Sequence, residues 1–110
     1  NTLFASRTEF NEVVRNLIDN AIKYNKENGT IFVSYKDGIL IVKDTGIGIK
    51  DEDKSRIFER FYRVDKARSK KTGGTGLGLA IVKHICLNNN YKLDLDSRLG
   101  LGTTFKIYFK

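Results

Sequence analysis

The sequence predicts an α+β protein, a two-layer α/β sandwich in which helices pack on one face of a mixed, mostly antiparallel sheet. Apolar residues between positions 10 and 22 recur at i, i+3 and i+4, which is typical of an amphipathic helix. Two β-rich runs flank Asp37-Gly38, a strong hairpin signal, and two later runs alternate apolar and polar residues as half-buried strands do. A chain of 110 residues predicts one domain, residues 1–110.

The predicted elements follow one another in a simple order. The predicted strands are residues 31–35, 39–43, 91–95 and 105–109. The predicted helices are residues 10–22, a short segment after Asp51, and residues 76–87. The last of these is apolar nearly all round, so we expect it to be well buried, and Asn88-Asn89-Asn90 ends it. Residues 62–75 are polar and basic and are expected to form a long mobile loop.

Composition limits the classes of function. The net charge of +7 invites a nucleic-acid interpretation. However, six basic residues fall within residues 60–71, where they could surround a polyphosphate, and few aromatic residues lie among them, so we expect no nucleic-acid partner. No apolar run approaches the roughly 20 residues of a membrane span. The single cysteine, Cys86, lies in an apolar helix and fits a reducing cytoplasmic compartment.

The most informative segment is rich in glycine. Gly73, Gly74, Gly76 and Gly78 lead directly into the apolar pattern of the second long helix. Backbone without side chains can approach a ligand closely, and a helix N-terminus offers N–H groups and a partial positive charge. Glycine-rich backbone followed by a helix N-terminus therefore suits the binding of a phosphate group. By itself, the pattern is also compatible with a structural tight turn.

A polar face is predicted along the first helix. Asn16, Asn20 and Lys23 are spaced by four and three residues, so they lie on one side of it. The amide oxygen of Asn20 is a hard, neutral ligand suited to a Mg²⁺ ion that bridges phosphates. Asn16 could support that amide or the phosphates, and Lys23 can reach a phosphate as a point charge. Taken alone, this helix predicts a solvated flank equally well.

A carboxylate stands at the end of an apolar strand. Asp44 is followed by Gly46 and Gly48. A carboxylate in this position can accept a hydrogen bond from an exocyclic amine such as that of adenine, and the glycines would let the ring lie close. The alternative is a metal-binding loop, but the acidic residues that follow lack the spacing of a calcium loop.

These segments resemble a known family. Residues 16–24 (NLIDNAIKY), 44–49 (DTGIGI), 58–65 (FERFYRVD) and 74–82 (GTGLGLAIV) resemble the four successive boxes of the ATP-binding catalytic domain of bacterial sensor histidine kinases. Residues 100–105 (GLGTTF) resemble its final glycine turn. The resemblance runs from about Ser6 to the C-terminus. It implies the Bergerat ATP-binding fold shared with gyrase-type ATPases, with ATP and Mg²⁺ as cofactors.

The resemblance also implies roles for individual residues. Asn20 matches the Mg²⁺ ligand, Asp44 the acceptor of the adenine amine, and Arg63 the arginine that reaches the γ-phosphate. Thr104 resembles the hydroxyl that helps to hold adenine. The residues assigned to catalysis are Asn16, Lys23 and Arg63. The residues assigned to nucleotide binding are Asn20, Lys23, Tyr24, Asp44, Gly46, Gly48, Ile49, Phe61, Gly74, Thr75, Gly76, Leu77, Gly78 and Thr104.

For the function, the resemblance implies ATP-dependent phosphorylation of a histidine and relay to an aspartate on a response regulator. The family's histidine lies on a helical dimerisation domain, which is not recognisable in this sequence. The one histidine, His84, lies within the second long helix and is expected to be structural. We therefore expect a fragment that binds ATP with little turnover. We expect its parent to be a homodimer, often anchored in the membrane, with this domain on the cytoplasmic side.

Three alternatives remain at this stage. A hydrolytic ATPase of the same fold would place a water-activating glutamate one turn before the metal asparagine, where this chain has Asn16, and Glu12 lies a further turn away. A serine kinase of the anti-sigma-factor type has the same pocket, although residues 61–66 favour the histidine kinases. A non-catalytic binding module would need a degenerate pocket, and every pocket element of the sequence is intact.

Overall fold

The computed structural model describes residues 7–59 and 78–109. Its elements are α1 (Arg7–Lys23), β1 (Ile31–Lys36), β2 (Ile39–Asp44), α2 (Asp51–Lys54), α3 (Gly78–Asn88), β3 (Lys92–Arg98) and β4 (Gly102–Tyr108). The predicted α+β class is confirmed, and the strand positions agree with the sequence patterns to within a few residues. The predicted loop at residues 62–75 lies outside the described residues.

The described strands form one antiparallel sheet in the order β1-β2-β4-β3. Asp37 and Gly38 both have positive φ, 54° and 79°, as a two-residue hairpin turn requires. The sheet order makes β2 and β4 the inner pair, and their register sets Asp44 opposite Thr103. The end of β2 is therefore flanked on both sides by other strands.

The core lies between one face of the sheet and the two long helices. Alternate residues of β2 and β4 point to this face, because successive side chains of a strand project to opposite sides. The buried apolar residues are Val13, Leu17, Ala21, Leu40, Val42, Ile49, Ile57, Val82, Ile85, Cys86, Phe105, Ile107 and Phe109. In α1 the fully buried positions, Val13, Leu17 and Ala21, are four residues apart, so they form one stripe along the helix, and Phe10 and Val14 pack beside it.

The burial of α3 differs from the expectation. Val82, Ile85 and Cys86 are buried, but Leu87 is largely exposed. Apolar composition does not reveal which side of a helix meets the core, because that side is chosen by the packing against α1 and β3. Burial raises the pKa of the Cys86 thiol to about 11. The helix ends as predicted, with Asn90 at a φ of 58° and the Tyr91 N–H donating to the Cys86 carbonyl at 2.9 Å.

None of the helices in the described part of the chain is both long and apolar enough to cross a bilayer.

Two apolar residues of α1 provide a matched test of the packing. Leu17 is fully buried, whereas Ile22 is 60% exposed. We expect Leu17→Ala to lower the free energy of unfolding by about 2–5 kcal/mol, because it removes buried methyl groups and leaves a cavity. The Ile22→Ala variant should change it by about 0.5 kcal/mol or less. Urea unfolding followed by circular dichroism measures both, and equal losses would contradict this placement of α1.

Candidate nucleotide-binding site

A cavity of about 250 Å³ opens where α1, the end of β2 and the start of α3 meet. Its polar and charged lining residues come mostly from α1, and its apolar ones come from the segments after β2 and from α3. The lining residues are Asn16, Asp19, Asn20, Lys23, Tyr24, Asp44, Ile47, Gly48, Ile49, Ile57, Gly78, Leu79 and Thr103. Segments distant in sequence thus converge on one cleft, as the predicted motifs require.

One wall of the cavity is the polar face of α1. Asn16, Asn20 and Lys23 all line it, so the predicted i, i+4, i+7 face is present. Asp19 lines the same wall and was not among the predicted site residues. The spacing carried a signal for it, since Asp19 follows Asn16 by three residues and precedes Lys23 by four. The wall therefore offers two amides, one carboxylate and one ammonium group.

Asp44 is the buried charged group of the cavity, with 5% of its surface exposed. The Gly46 N–H donates to its Oδ1 at 2.8 Å, and the backbone N–H of Thr103 also donates to the carboxylate. Burial raises the pKa of Asp44 above its ordinary value of 3.8, and the two backbone donors oppose this effect without cancelling it. The carboxylate is held in place by backbone groups and faces a cavity that a hydrogen-bond donor could enter.

The loop after Asp44 is clamped between two other segments. The Ile47 N–H donates to the Tyr24 carbonyl at 3.0 Å, and the Gly100 N–H donates to the Ile47 carbonyl at 2.7 Å. A Cβ added to Gly46 would lie 2.1 Å from the Tyr24 carbonyl oxygen, and one added to Gly48 would lie 2.1 Å from that of Arg98.

These contacts change the interpretation of the two glycines. The sequence suggested that Gly46 and Gly48 leave room for an adenine ring. In the structure, the protein's own backbone occupies the space that a side chain would need at both positions. Gly48 also lines the cavity, whereas Gly46 does not. The glycine spacing thus serves first to fit the loop between α1 and the β3–β4 turn.

The start of α3 closes the cavity against α1. Gly78 and Leu79 line it, and a Cβ on Gly78 would lie 3.1 Å from the Asn16 Oδ1. The beginning of this helix therefore lies directly against the predicted polar face. The other predicted residues of the glycine loop and the lid, Phe61, Arg63, Gly74, Thr75, Gly76 and Leu77, lie outside the described residues.

The structure corrects the predicted hydroxyl. Thr104 shares the outer face of β4 with exposed Lys106 and does not line the cavity. Its neighbour Thr103 is 95% buried, lies opposite Asp44 and does line the cavity. A shift of one residue along a strand moves a side chain to the other face of the sheet, so Thr104 points away from the cavity that Thr103 lines.

Within residues 7–59 and 78–109, no group of three or more His, Cys, Asp or Glu side chains could hold a metal ion. The chemistry of the cavity is that of amide oxygens, carboxylates and an ammonium group beside apolar side chains.

Comparisons with known proteins agree with this geometry. Residues 5–110 match the family model described as histidine kinase-, DNA gyrase B- and HSP90-like ATPase. The chain belongs to this family. The family binds ATP, and the resemblance found in the five sequence motifs is confirmed.

Relatives in the family include sensor kinases from several bacteria. The chain is 48% identical over 98 residues to the sensor-like histidine kinase SenX3 of Mycolicibacterium smegmatis, covering 86% of the chain and 26% of SenX3. It is 42% identical over 111 aligned positions to the phosphate regulon sensor protein PhoR of Pseudomonas aeruginosa, covering 97% of the chain and 25% of PhoR. The chain thus spans about a quarter of the length of these curated relatives.

Solved structures of the family share the fold. The mycobacterial sensor histidine kinase MprB superposes with a TM-score of 0.76 at 32% identity, over 94% of this chain and 72% of that one. A nucleotide-free catalytic domain of histidine kinase ThkA superposes with a TM-score of 0.75 at 31% identity, over 94% of this chain and 67% of that one.

The raised pKa of Asp44 predicts the direction in which the stability of the fold changes with pH. The native protein holds the Asp44 proton more tightly than the unfolded chain does, so this group stabilises the fold less as the pH rises from 3.8 through the raised native pKa. The free energy of unfolding of the wild type, minus that of Asp44→Asn, should therefore fall across this range and then level off. Urea titrations at several pH values measure the difference. A rise with pH would contradict the burial argument.

Proposed function

We propose that this chain is the ATP-binding catalytic domain of a sensor histidine kinase, a domain of a longer protein, and that it delivers the γ-phosphate of ATP to a histidine on a separate dimerisation domain. The phosphoryl group then passes to an aspartate of a response regulator. The observation that carries the proposal is the pairing, in one cavity, of a buried carboxylate at the end of β2 with a wall of amide and ammonium groups on α1. The sensor-kinase relatives supply the reaction class.

The two sides of the cavity suit the two ends of the nucleotide. The buried Asp44 carboxylate is an acceptor for the exocyclic amine of adenine, and the surrounding side chains of Ile49, Ile57 and Leu79 offer apolar contact to the ring. Asn16 and Lys23 face the phosphates. Phosphoryl transfer depends mainly on positioning and on stabilising charge, and these groups supply both.

The donor set fits a nucleotide-bound Mg²⁺ ion. Mg²⁺ prefers oxygen ligands, keeps several waters, and is usually held by few protein groups together with substrate phosphates. Asn20 would contribute its amide oxygen, with Asp19 beside it on the same wall. Bound there, the ion would neutralise phosphate charge. The residues of α1 would orient the phosphates around it.

The acceptor histidine belongs to another part of the parent protein. His84 is exposed on α3, lies 3.1 Å from the Asn88 amide through its Nε2, and does not line the cavity. It thus has a local partner on its own helix and stands away from the proposed phosphates. The partners that we propose are the dimerisation domain, in a homodimeric parent with this domain on the cytoplasmic side of the membrane, and a response regulator.

The positions of the carboxylates in the cavity favour phosphoryl transfer over hydrolysis of ATP. Those among the described residues are Asp19 and Asp44, and Glu12 does not line it. Asn16 occupies the place where a hydrolytic relative would carry its general base, and an amide cannot accept a proton from water at neutral pH. The general base that hydrolytic relatives use is therefore replaced by an amide, which supports phosphoryl transfer over hydrolysis.

Nucleotide binding tests the site. Asp44→Asn should weaken ATP binding by about 10–100-fold, because it replaces an acceptor-only carboxylate by a group that also presents N–H donors. Asn20→Ala should remove most of the gain in affinity that Mg²⁺ provides. Asn11 is exposed on α1 and does not line the cavity, so Asn11→Ala is the matched control with unchanged affinity. Titration of a fluorescent ATP analogue with and without Mg²⁺ gives all three values, and unaltered binding by Asp44→Asn would overturn the assignment.

Turnover tests the reaction class. The chain mixed with its parent's dimerisation domain and labelled ATP should form acid-labile phosphohistidine, and Asn16→Ala should slow this by about 10-fold or more. The chain alone should release little free phosphate. Steady release that Glu12→Gln abolishes would identify a hydrolytic ATPase instead.

A further inference from the structure

Ser97 is a buried polar residue that none of the predicted motifs includes. It lies on β3, with 4% of its surface exposed, on the face of the sheet that packs against the helices. Its cross-strand partner is Thr103, which lines the cavity opposite Asp44. A serine at a core-facing position of a strand needs hydrogen-bond partners, because an unsatisfied buried hydroxyl is costly.

Ser97 has three such partners, and they come from two segments, the loop after Asp44 and the start of β4. The backbone N–H of Ile49 donates to the Ser97 Oγ at 2.8 Å. The Ser97 Oγ donates to the Gly102 carbonyl at 3.0 Å, since a carbonyl oxygen can only accept. The Oγ1 of Thr103 lies 2.8 Å from the Ser97 Oγ. One hydroxyl thus joins the loop after Asp44 to the start of β4, where Thr103 lines the cavity.

Counting protons fixes the direction of the last bond. A serine hydroxyl has one proton and two lone pairs. In Ser97 the proton is committed to Gly102 and one lone pair to Ile49, so Thr103 must donate its own hydroxyl proton to the remaining lone pair. The Thr103 oxygen then keeps only lone pairs for any further contact. It is an acceptor on the cavity wall, beside the acceptor-only carboxylate of Asp44.

We infer that Ser97 is a positioning residue for base selectivity: by holding the Thr103 hydroxyl as an acceptor, it favours a 6-aminopurine over a 6-oxopurine. This inference rests on the nucleotide-binding function proposed above. The 6-amino group of adenine carries two N–H donors, which suit two neighbouring acceptors directly or through a water molecule. The 6-oxo group of hypoxanthine would bring a third acceptor to the same place, and neither the Asp44 carboxylate nor the Thr103 hydroxyl could donate to it while the Thr103 proton is committed to Ser97.

The inference predicts a change in the ratio of two affinities. Removing the Ser97 hydroxyl frees the Thr103 proton to turn toward the cavity, where it can donate to a 6-oxo group. The preference of Ser97→Ala for ATP over inosine triphosphate should be about 5–10-fold smaller than that of the wild type, which corresponds to one hydrogen bond. A purely structural loss would weaken both nucleotides equally and leave the ratio unchanged.

Thr103 variants connect the effect to its hydroxyl. Thr103→Val keeps the branched shape without the hydroxyl and should reduce the preference for ATP to a similar extent. Thr103→Ser keeps the hydroxyl and should retain the wild-type ratio. If Ser97 acts through Thr103, the double variant Ser97→Ala/Thr103→Val should show the ratio of Thr103→Val alone. The reason is that Ser97 has no further effect once the Thr103 hydroxyl is absent. Ser34, exposed on β1, supplies the matched control Ser34→Ala, with an unchanged ratio.

Competition of ATP and inosine triphosphate against a fluorescent ATP analogue measures every ratio, with circular dichroism as the check on folding. Ser97→Val, which also lacks a hydroxyl, replaces the alanine variant if the latter is unfolded, and the same criterion applies. An unchanged ratio in the Ser97 variant, or a further reduction in the double variant, overturns the inference while ATP binding by the wild type still supports the proposed function. A wild type that binds neither nucleotide overturns both.

Discussion

The burial of one carboxylate at the end of β2 organises the rest of this structure. Asp44 lies between two other strands and keeps its charged form only at a cost, which is visible in its raised pKa. Backbone N–H groups of Gly46 and Thr103 offset part of this cost and fix the direction of the carboxylate. The lone pairs of the carboxylate that accept no backbone hydrogen bond can face the cavity. These lone pairs become satisfied when a hydrogen-bond donor binds there.

Rigid backbone contacts support this carboxylate from both sides. The loop after Asp44 passes so close to the end of α1 and to the β3–β4 turn that Gly46 and Gly48 could not carry a Cβ without displacing a carbonyl. The Ser97 hydroxyl joins the same loop to the turn. The side of the cavity around Asp44 is thus built from backbone and short side chains that have little freedom. The α1 wall carries longer side chains such as Lys23, which is consistent with the proposal that it faces the phosphates.

Local patterns were sufficient for the elements, for the family and for one polar wall of the cavity. Helical spacing placed Asn16, Asn20 and Lys23 on one face, and the glycine-rich boxes identified the family that the comparisons confirmed. The errors arose where the outcome depends on a facing segment. Thr104 was chosen in place of Thr103 because the register of β4 against β2 decides which threonine faces Asp44. Asp19 was missed although its spacing matched, because no single motif role called for a carboxylate there.

By itself, the sequence determined the fold class, the order of the elements, the family and the polar face of α1, because each depends on neighbours that are close along the chain. Only the tertiary structure decided which face of α3 is buried, why Gly46 and Gly48 must lack side chains, and how Ser97 commits the proton of Thr103. These features arise from contacts between residues far apart in the sequence, such as Gly48 and Arg98, which are 50 positions apart. Hydrogen-bond direction and close packing depend on distances in space, and a linear pattern does not encode those distances.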